Sequence, residues 1–402
     1  VKNTYFEQLG DIDSTIILRE LTYNPGDKYS KIEIDKTSNR IRELGVFSMA
    51  NFTPVKVPDS DSLVNLITQF KRYKQREWNS SGGLDPISFA EGTPDLPALS
   101  ATIEWRNRSI FNSSRQFSTK LLAGVPVETD FITPRIRYDA SLSSNWFFSF
   151  RIPTKITGYY ERFIRYEDRL YKGSIDRSGA NFRQRLKIKD RSYFENKIIW
   201  ESFSDASNKV IQERSILLKI HLDNKDDPLF TQNGYLIDII LKSAGFGGSR
   251  EYYKSDLTMQ YYKKIIGRSV YAMRIQVGKL WNWSYSDDFS FEKFYLGGST
   301  SMRAWDVLMF QNLTDEAEGG IIRFMTNIEL RQGIYKQLGA TIFADAGLLT
   351  DEMPIDILSS LDWDIGMGLT LKTPLGPARL DYAFQLDNTE INKIQLGVQY
   401  LF

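Results

Sequence analysis

Apolar and polar positions follow two different periods along the chain. Over the first ~75 residues the spacing is helical: Ile34, Ile41 and Leu44, with Thr37 between them, fall on one face. Ser30 followed by Glu33 reads as a capping box, in which a hydroxyl and a carboxylate satisfy amides that the first helical turn leaves unpaired. Gly45 supplies a left-handed stop. Asn24-Pro25-Gly26-Asp27 forms a turn before this helix, and residues 12–21 predict a second, short helix upstream. Residues 47–57 and 63–73 read as strands. The order helix, turn, helix, strand, strand describes a small α+β module that lacks one edge strand.

From about residue 98 the period becomes two. Ile216, Leu218, Ile220 and Leu222 share one face, while Lys219, His221 and Asp223 share the other. Phe324, Ile328 and Leu330 oppose Arg323, Asn327, Glu329 and Arg331. Leu380, Tyr382 and Phe384 oppose Arg379, Asp381 and Gln385, and Tyr271, Met273, Ile275 and Val277 oppose Arg274, Gln276 and Gly278. One apolar and one charged face is the pattern of a sheet closed around a wet interior. A soluble β-sandwich also alternates. Three features weigh against it. The segments are longer than ordinary strands. Their polar faces carry full charges that a dry core could not hold. Aromatics gather at segment ends (Trp281, Trp283 and Tyr285; Trp146, Phe147 and Phe148), as an interfacial girdle requires.

Counted from the C-terminal side, strands are expected at 391–402, 376–388, 361–373, 337–349 and 320–334. A long loop over roughly 284–319 precedes them, after 268–283, 250–263, 233–247, 212–223, 191–205 and 178–189. Five more fit near 84–92, 98–111, 114–126, 133–150 and 155–170. The sum is sixteen, an even number as bacterial barrels require. The expected fold is therefore all-β and transmembrane: a 16-stranded antiparallel β-barrel behind a small α+β domain.

Composition narrows the chemistry. The 402 residues include 51 Lys+Arg against 50 Asp+Glu, which leaves no basic footprint for nucleic acid. With no Cys and a single His, a zinc site or cysteine nucleophile is excluded. No apolar run approaches the ~18 residues of a membrane-spanning helix. A Ser-His-Asp triad would have to use His221, which reads instead as one member of a charge network beside Lys219 and Asp223. No Gly-x-Ser-x-Gly elbow occurs. The acidic pairs Asp226-Asp227 and Asp287-Asp288 fall in turns or loops. No enzyme activity, metal or cofactor is expected.

Several motifs carry a resemblance. Phe294-Tyr295-Leu296-Gly297-Gly298-Ser299-Thr300-Ser301-Met302-Arg303-Ala304-Trp305 is similar to the long sixth-loop motif of the BamA/TamA outer-membrane assembly-factor superfamily. It departs at Ala304, where that family usually has Gly. Phe343-Ala344-Asp345-Ala346-Gly347 resembles the family's Phe-x-Asp-x-Gly strand, and Thr373-Pro374-Leu375-Gly376-Pro377 with Arg379-Leu380-Asp381-Tyr382 resembles the turn before its penultimate strand. The final residues, Gln395-Leu396-Gly397-Val398-Gln399-Tyr400-Leu401-Phe402, look like an outer-membrane β-signal, with Ile394, Leu396, Val398, Tyr400 and Phe402 expected as one lipid-facing row. Pro25-Gly26-Asp27, the capped helix and Leu44-Gly45-Val46-Phe47 resemble the last POTRA (polypeptide-transport-associated) domain.

The resemblance implies a POTRA domain at 1–78 with its first strand missing or partial, and a barrel at 79–402. It implies that Arg303 pairs with Asp345 and clamps the long loop, with Gly297, Gly298, Ser301, Met302, Ala304 and Trp305 shaping that loop beside Phe343 and Gly347. Removing Arg303 should loosen the loop, and exchanging the two charges should partly restore it. Gln395, Gly397, Tyr400 and Phe402 would form the seam strand, with Gly397 weakening its pairing. The implied function is insertion or assembly of outer-membrane proteins, client strands folding at the seam between first and last barrel strands. Two-partner-type secretion of a soluble passenger through the lumen is the alternative, and a passive pore is disfavoured by the inward loop. The implied location is the bacterial outer membrane with the POTRA domain in the periplasm. Implied partners are outer-membrane lipids, unfolded outer-membrane protein clients, and a TamB-like periplasm-spanning protein or accessory lipoproteins. The motifs look closest to the TamA-like branch and the TamL lipoproteins of Bacteroidota. Val1 follows no initiator Met and no signal peptide is visible, so the chain reads as a mature or truncated product; with the first POTRA strand missing or partial, the resemblance implies further POTRA domains upstream, where the lipidated Cys of the TamL branch would also lie.

Overall fold

The computed structural model describes the chain apart from residues 8, 59, 61, 89–94, 127–134, 168–169, 206–209, 283–291, 314–318, 374–375 and 399. It comprises β1 (Thr4–Glu7), α1 (Ser14–Leu18), α2 (Lys31–Glu43), β2 (Phe47–Lys56) and β3 (Val64–Arg72), followed by sixteen longer strands. These are β4 (Arg76–Ser88), β5 (Asp95–Asn107), β6 (Gln116–Pro126), β7 (Arg135–Ser144), β8 (Thr154–Glu167), β9 (Leu170–Lys189), β10 (Ser192–Asp205) and β11 (Val210–Asp223). The series continues with β12 (Gly234–Ala244), β13 (Tyr252–Lys264), β14 (Ser269–Trp281), β15 (Ile322–Tyr335), β16 (Leu338–Thr350), β17 (Asp362–Thr373), β18 (Gly376–Gln385) and β19 (Asn392–Val398).

The chain divides into two compact units. The first contains Val1–Ser80, Ile103–Leu121 and Tyr138–Gly158. In it, the Ser30 hydroxyl accepts from the Glu33 amide as α2's N-cap, and α2 buries Ile34, Thr37 and Ile41. Ile17 of α1, Ile41, Phe47 and Phe70 share one core, with the Phe47 and Phe70 rings 5.1 Å apart. The sheet order is β1-β3-β2, with β1 parallel to β3 and β2 antiparallel to it. The module thus has the edge strand that the sequence pattern lacked. Four residues cannot show an alternating pattern, and β1 exists because β3 offers it a ladder.

The same unit contains the connection between β7 and β8. Its Arg151 Nε donates to Glu20 Oε2 at 2.7 Å and its Nη2 to Glu43 Oε2 at 2.8 Å, while Trp146 Nε1 donates to Glu20 Oε1 at 2.6 Å. Burial disfavours the Arg151 charge, but the hydrogen bonds and charges of Glu43 and Glu20 outweigh this and hold its pKa above the ordinary arginine value. Trp146 therefore serves as a partner of the buried Glu20 carboxylate and not as part of an interfacial girdle; Trp283 and Tyr285 lie outside the described residues.

The second unit comprises Ser81–Thr102, Leu122–Arg137 and Tyr159–Phe402. The strands β4 to β19 form one 16-stranded sheet in which each strand neighbours the next in sequence. Every pairing from β9 to β19 is antiparallel. Among the described residues no ladder joins β4 to β19, the two ends of the order. The expected strand count holds, with three shifts. The first strand begins at Arg76 instead of near 84, across the expected 78/79 boundary. β7 ends at Ser144 instead of 150, and β9 begins at Leu170 instead of 178.

Register fixes the two faces. Leu330, Ile342, Met367, Tyr382 and Ile394 follow one another as cross-strand partners, and all are exposed. One residue along, Arg331, Thr341, Gly368, Asp381 and Gln395 make a row on the opposite, charged face. No helix among the described residues is long and apolar enough to cross a membrane.

Arg151→Ala leaves the buried Glu20 carboxylate short of its charge-assisted partner, so it should cost the first unit about 1–3 kcal/mol. Pulse proteolysis of the full chain, scored by cleavage within the first ~75 residues, checks this; unchanged protection would show that Trp146 alone suffices.

Candidate functional site

The chain between β14 and β15 folds back onto the charged face. Phe294 and Gly320 exchange backbone hydrogen bonds at 2.9 Å and close its base. Phe294, Leu296, Met302 and Phe310 then pack with Tyr252, Leu280, Met325 and Leu349 into a buried apolar cluster. Inside this base a tight turn is tied by its own hydroxyl: the Gly297 amide donates to Ser301 Oγ at 2.8 Å, and Ser301 Oγ donates to the Gly297 carbonyl at 2.9 Å. Gly297 has φ +109°, and a Cβ there would stand 2.2 Å from the Asp306 carbonyl oxygen, so no other residue fits the turn. The Gly298 amide donates to the Trp305 carbonyl at 3.0 Å.

The turn delivers Arg303 to the sheet. Its Nε and Nη2 donate to Asp345 Oδ2 and Oδ1, both at 2.8 Å, and Nη1 donates to Glu329 Oε1 at 2.7 Å. Asp381 Oδ2 lies 3.5 Å from Nη1, and the guanidinium stacks 3.3 Å over the Phe343 ring. All of these acids are buried, and Arg303 itself is 0% exposed. A planar fork with five donors suits this set of carboxylates, which a lysine could not engage at once. Asn327 completes the arrangement, its Nδ2 donating to Asp345 Oδ1 and to the Ser301 carbonyl, each at 2.8 Å.

Further arginines hold the turn's backbone. Arg274 Nη2 donates to the Thr300 carbonyl and Arg379 Nη2 to the Ser299 carbonyl, both at 2.8 Å, and the Ala304 amide donates to Asp364 Oδ2 at 3.2 Å. Ala304 is enclosed with Phe343, Ala383 and Trp305. Gly347 explains itself by proximity: a Cβ would lie 2.8 Å from Met302 Sδ. The Arg303 and Asp345 pairing that the motifs implied is thus present in the geometry, but Arg303 is also the partner of Glu329 and Asp381. The pattern of the strands could have suggested Glu329 and Asp381, since both are acids on the charged faces of β15 and β18.

The seam residues divide. Gln395 lies on the charged face, and its Nε2 donates to the carbonyls of Arg303 and Trp305, each at 3.2 Å. Gly397 sits opposite Arg379 in the ladder. Tyr400 and Phe402 overturn the expected lipid-facing row, while Ile394 and Leu396 are exposed as expected and the side chain of Val398 lies outside the described residues. The ladder ends at Ala378 opposite Val398, so Tyr400 would face Gly376, where β18 begins. Past that point guanidinium groups take over. Arg274 Nη1 donates to the Leu401 carbonyl at 3.1 Å and Arg331 Nη2 to Phe402 O at 3.2 Å, and the Phe402 ring lies 5.0 Å from Arg331 and 5.2 Å from Arg274. Phe402 is therefore on the charged side.

Elsewhere, His221 Nδ1 meets Asp238 Oδ1 at 2.6 Å across the β11–β12 ladder, with Lys219 Nζ 3.5 Å from the same oxygen, so His221 stands in a charge network whose carboxylate comes from the neighbouring strand. No cluster of three or more His, Cys, Asp or Glu able to hold a metal occurs among the described residues. Asp287 and Asp288 lie outside them.

A loop arginine folded onto the charged face, seated on the strand aspartate of a sixteen-stranded sheet, coincides with a match of residues 125–401 to the Omp85 superfamily domain. The chain belongs to the Omp85 superfamily. Its BamA/TamA-type character agrees with a curated relative, the outer membrane protein assembly factor BamA of Nitratidesulfovibrio vulgaris, 24% identical over 397 residues. That alignment covers 92% of this chain and 47% of the relative, so the chain spans about half the length of the curated relative it matches. Among solved structures, BamA from Haemophilus ducreyi lacking POTRA domains 1–3 superposes with a TM-score of 0.75 at 12% identity, over 98% of this chain and 82% of that one. CdiB from Acinetobacter baumannii gives 0.57 at 11% identity, over 100% and 74%, and CdiB from Escherichia coli gives 0.56 at 12%, over 99% and 76%. At these identities the structures speak for the Omp85 fold alone.

Arg303→Ala strands the buried carboxylates it now serves, and should cost about 3–5 kcal/mol. Heat-modifiability of the folded protein on semi-native gels checks this. Exchanging the charges, Arg303→Asp with Asp345→Arg, should fail to restore stability, because the new carboxylate would face Glu329 and Asp381. Recovery in the exchange would mean that those two contacts contribute little. Gly347→Val should cost about 1–3 kcal/mol by overpacking against Met302, and Met302→Ala in the same chain should relieve it.

Proposed function

We propose that this chain is the membrane-embedded part of a factor that assembles outer-membrane proteins in the bacterial outer membrane. In this reading the sixteen strands close into a barrel with the charged face inward, and residues 1–78 are a POTRA-type domain in the periplasm. The observation that carries the reading is the state of the last strand. β19 pairs with β18 over seven residue pairs, against twelve for β10 and β11, and among the described residues its other edge carries no ladder.

An unpaired backbone edge in lipid costs several kcal/mol per group. A short closing seam lowers the cost of opening it, and the exposed edge then accepts an incoming strand by β-augmentation. The clamped loop keeps the wall beside this seam in shape, because Gln395 of β19 is bonded directly to the loop's carbonyls. The three-stranded sheet of the first module leaves β1 and β2 as edges, which suit extended periplasmic clients or a TamB-like partner. The mechanism uses no metal, cofactor or catalytic side chain.

Photocrosslinkers at Ile394 and Leu396 in living cells test the reading, since both side chains are exposed. Newly made β-barrel chains should be captured there. Capture of β4 alone would mean a closed seam and would sink the proposal. Capture of a hydrophilic secreted protein at Gln276 on the charged face, with none at Ile394, would favour export through the lumen.

A further inference from the structure

The edge of the sheet where β13–β14, β15–β16 and β17–β18 turn holds a cavity of about 240 Å³, closed on one side by the β11–β12 connection. Lys264, Arg268, Arg331, Lys336 and Lys372 line it, and none of its lining residues is acidic. In a chain whose charges balance almost to zero, such a one-signed lining is a local concentration of positive potential.

Asp226 and Asp227, in the connection that forms one wall, are not among its lining residues. In the β11–β12 connection, Asp226 Oδ1 accepts from the amides of Asp227 and Gln232 at 2.9 Å, and its Oδ2 accepts from Asn233 at 3.1 Å. Asp227 Oδ1 accepts from the Leu229 and Phe230 amides, each at 2.8 Å. Partial burial opposes the Asp226 charge, yet those three amides outweigh it and hold its carboxyl below the usual range. Both carboxylates are engaged in fixing the connection that forms one wall, and neither lines the cavity. Phe230 projects from this wall, 5.3 Å from Lys372 Nζ. Tyr400 also lines the cavity, its ring 4.1 Å from the Arg331 guanidinium, whose Nε donates to Glu329 Oε2 at 2.7 Å.

Val270, Arg331 and Thr370 reach the cavity from the charged face, where all three are buried, and Leu338 and Ala340, opposite Leu371 and Leu369 in the ladder, line it from the apolar face. Several cations interleaved with aromatic rings match a flexible chain that carries carboxylates, with its stem lying against Phe230 and Tyr400.

We propose that this cavity binds an acidic polypeptide segment presented on the charged face of the sheet. The proposal does not depend on strand insertion at the seam, because its readout is binding to the full chain in detergent.

The probe is a labelled decapeptide alternating aspartate with tyrosine, measured by fluorescence anisotropy beside its lysine-for-aspartate counterpart. The acidic peptide should bind, with affinity that falls as salt rises, and the lysine peptide should not. Lys336→Glu with Lys372→Glu should weaken binding about tenfold or more. Lys187→Glu with Lys189→Glu, at exposed positions on β9 outside the cavity, should leave it unchanged. Equal losses in the two variants, or equal binding of the lysine peptide, would overturn the site. Full displacement of the peptide by millimolar inorganic phosphate or by phosphatidylglycerol vesicles would overturn the polypeptide assignment in favour of a phosphate group.

Discussion

A single guanidinium, brought 42 residues along the chain to a strand carboxylate, organises the charged face of this protein. Arg303 is wholly enclosed, so its charge survives only because Asp345, Glu329 and Asp381 surround it. The dependence runs both ways. The acids stand on three different strands and would repel one another across the face without a cation in common. Loop and wall are therefore not separable parts: the loop's apolar base seals against Leu280, Met325 and Leu349, and its tip neutralises the sheet. A face that could have been a water-filled surface has become, around this arginine, a packed core with charges in it.

The sequence made much of this legible, for specific reasons. Period-two alternation survives wherever a strand has one apolar and one polar face, which is why β10 to β19 could be placed to within a few residues. Arg303 and Asp345 were visible through motif resemblance. Other features left no trace in pattern. β1 is too short to alternate. The inward turn of Tyr400 and Phe402 follows from the end of β18 and from guanidinium donors on β14 and β15, which no local pattern reveals. His221 was read beside its sequence neighbour Asp223, while its partner Asp238 is set by the ladder between β11 and β12.

The first module shows the same division between local and distant information. Its capped helix was readable residue by residue, since Ser30, Glu33, Ile34 and Ile41 are all local signals. The carboxylate of Glu20 was not, because its partners Arg151 and Trp146 come from a connection more than a hundred residues away.

The bond from Gln395 to the backbone of Arg303 spans 92 residues. The carbonyls that receive this amide belong to the turn that Ser301 ties and Arg303 anchors. The last strand is thus secured by the loop as well as by its ladder to β18, so a disturbance of the turn would be felt at the C-terminal edge of the sheet.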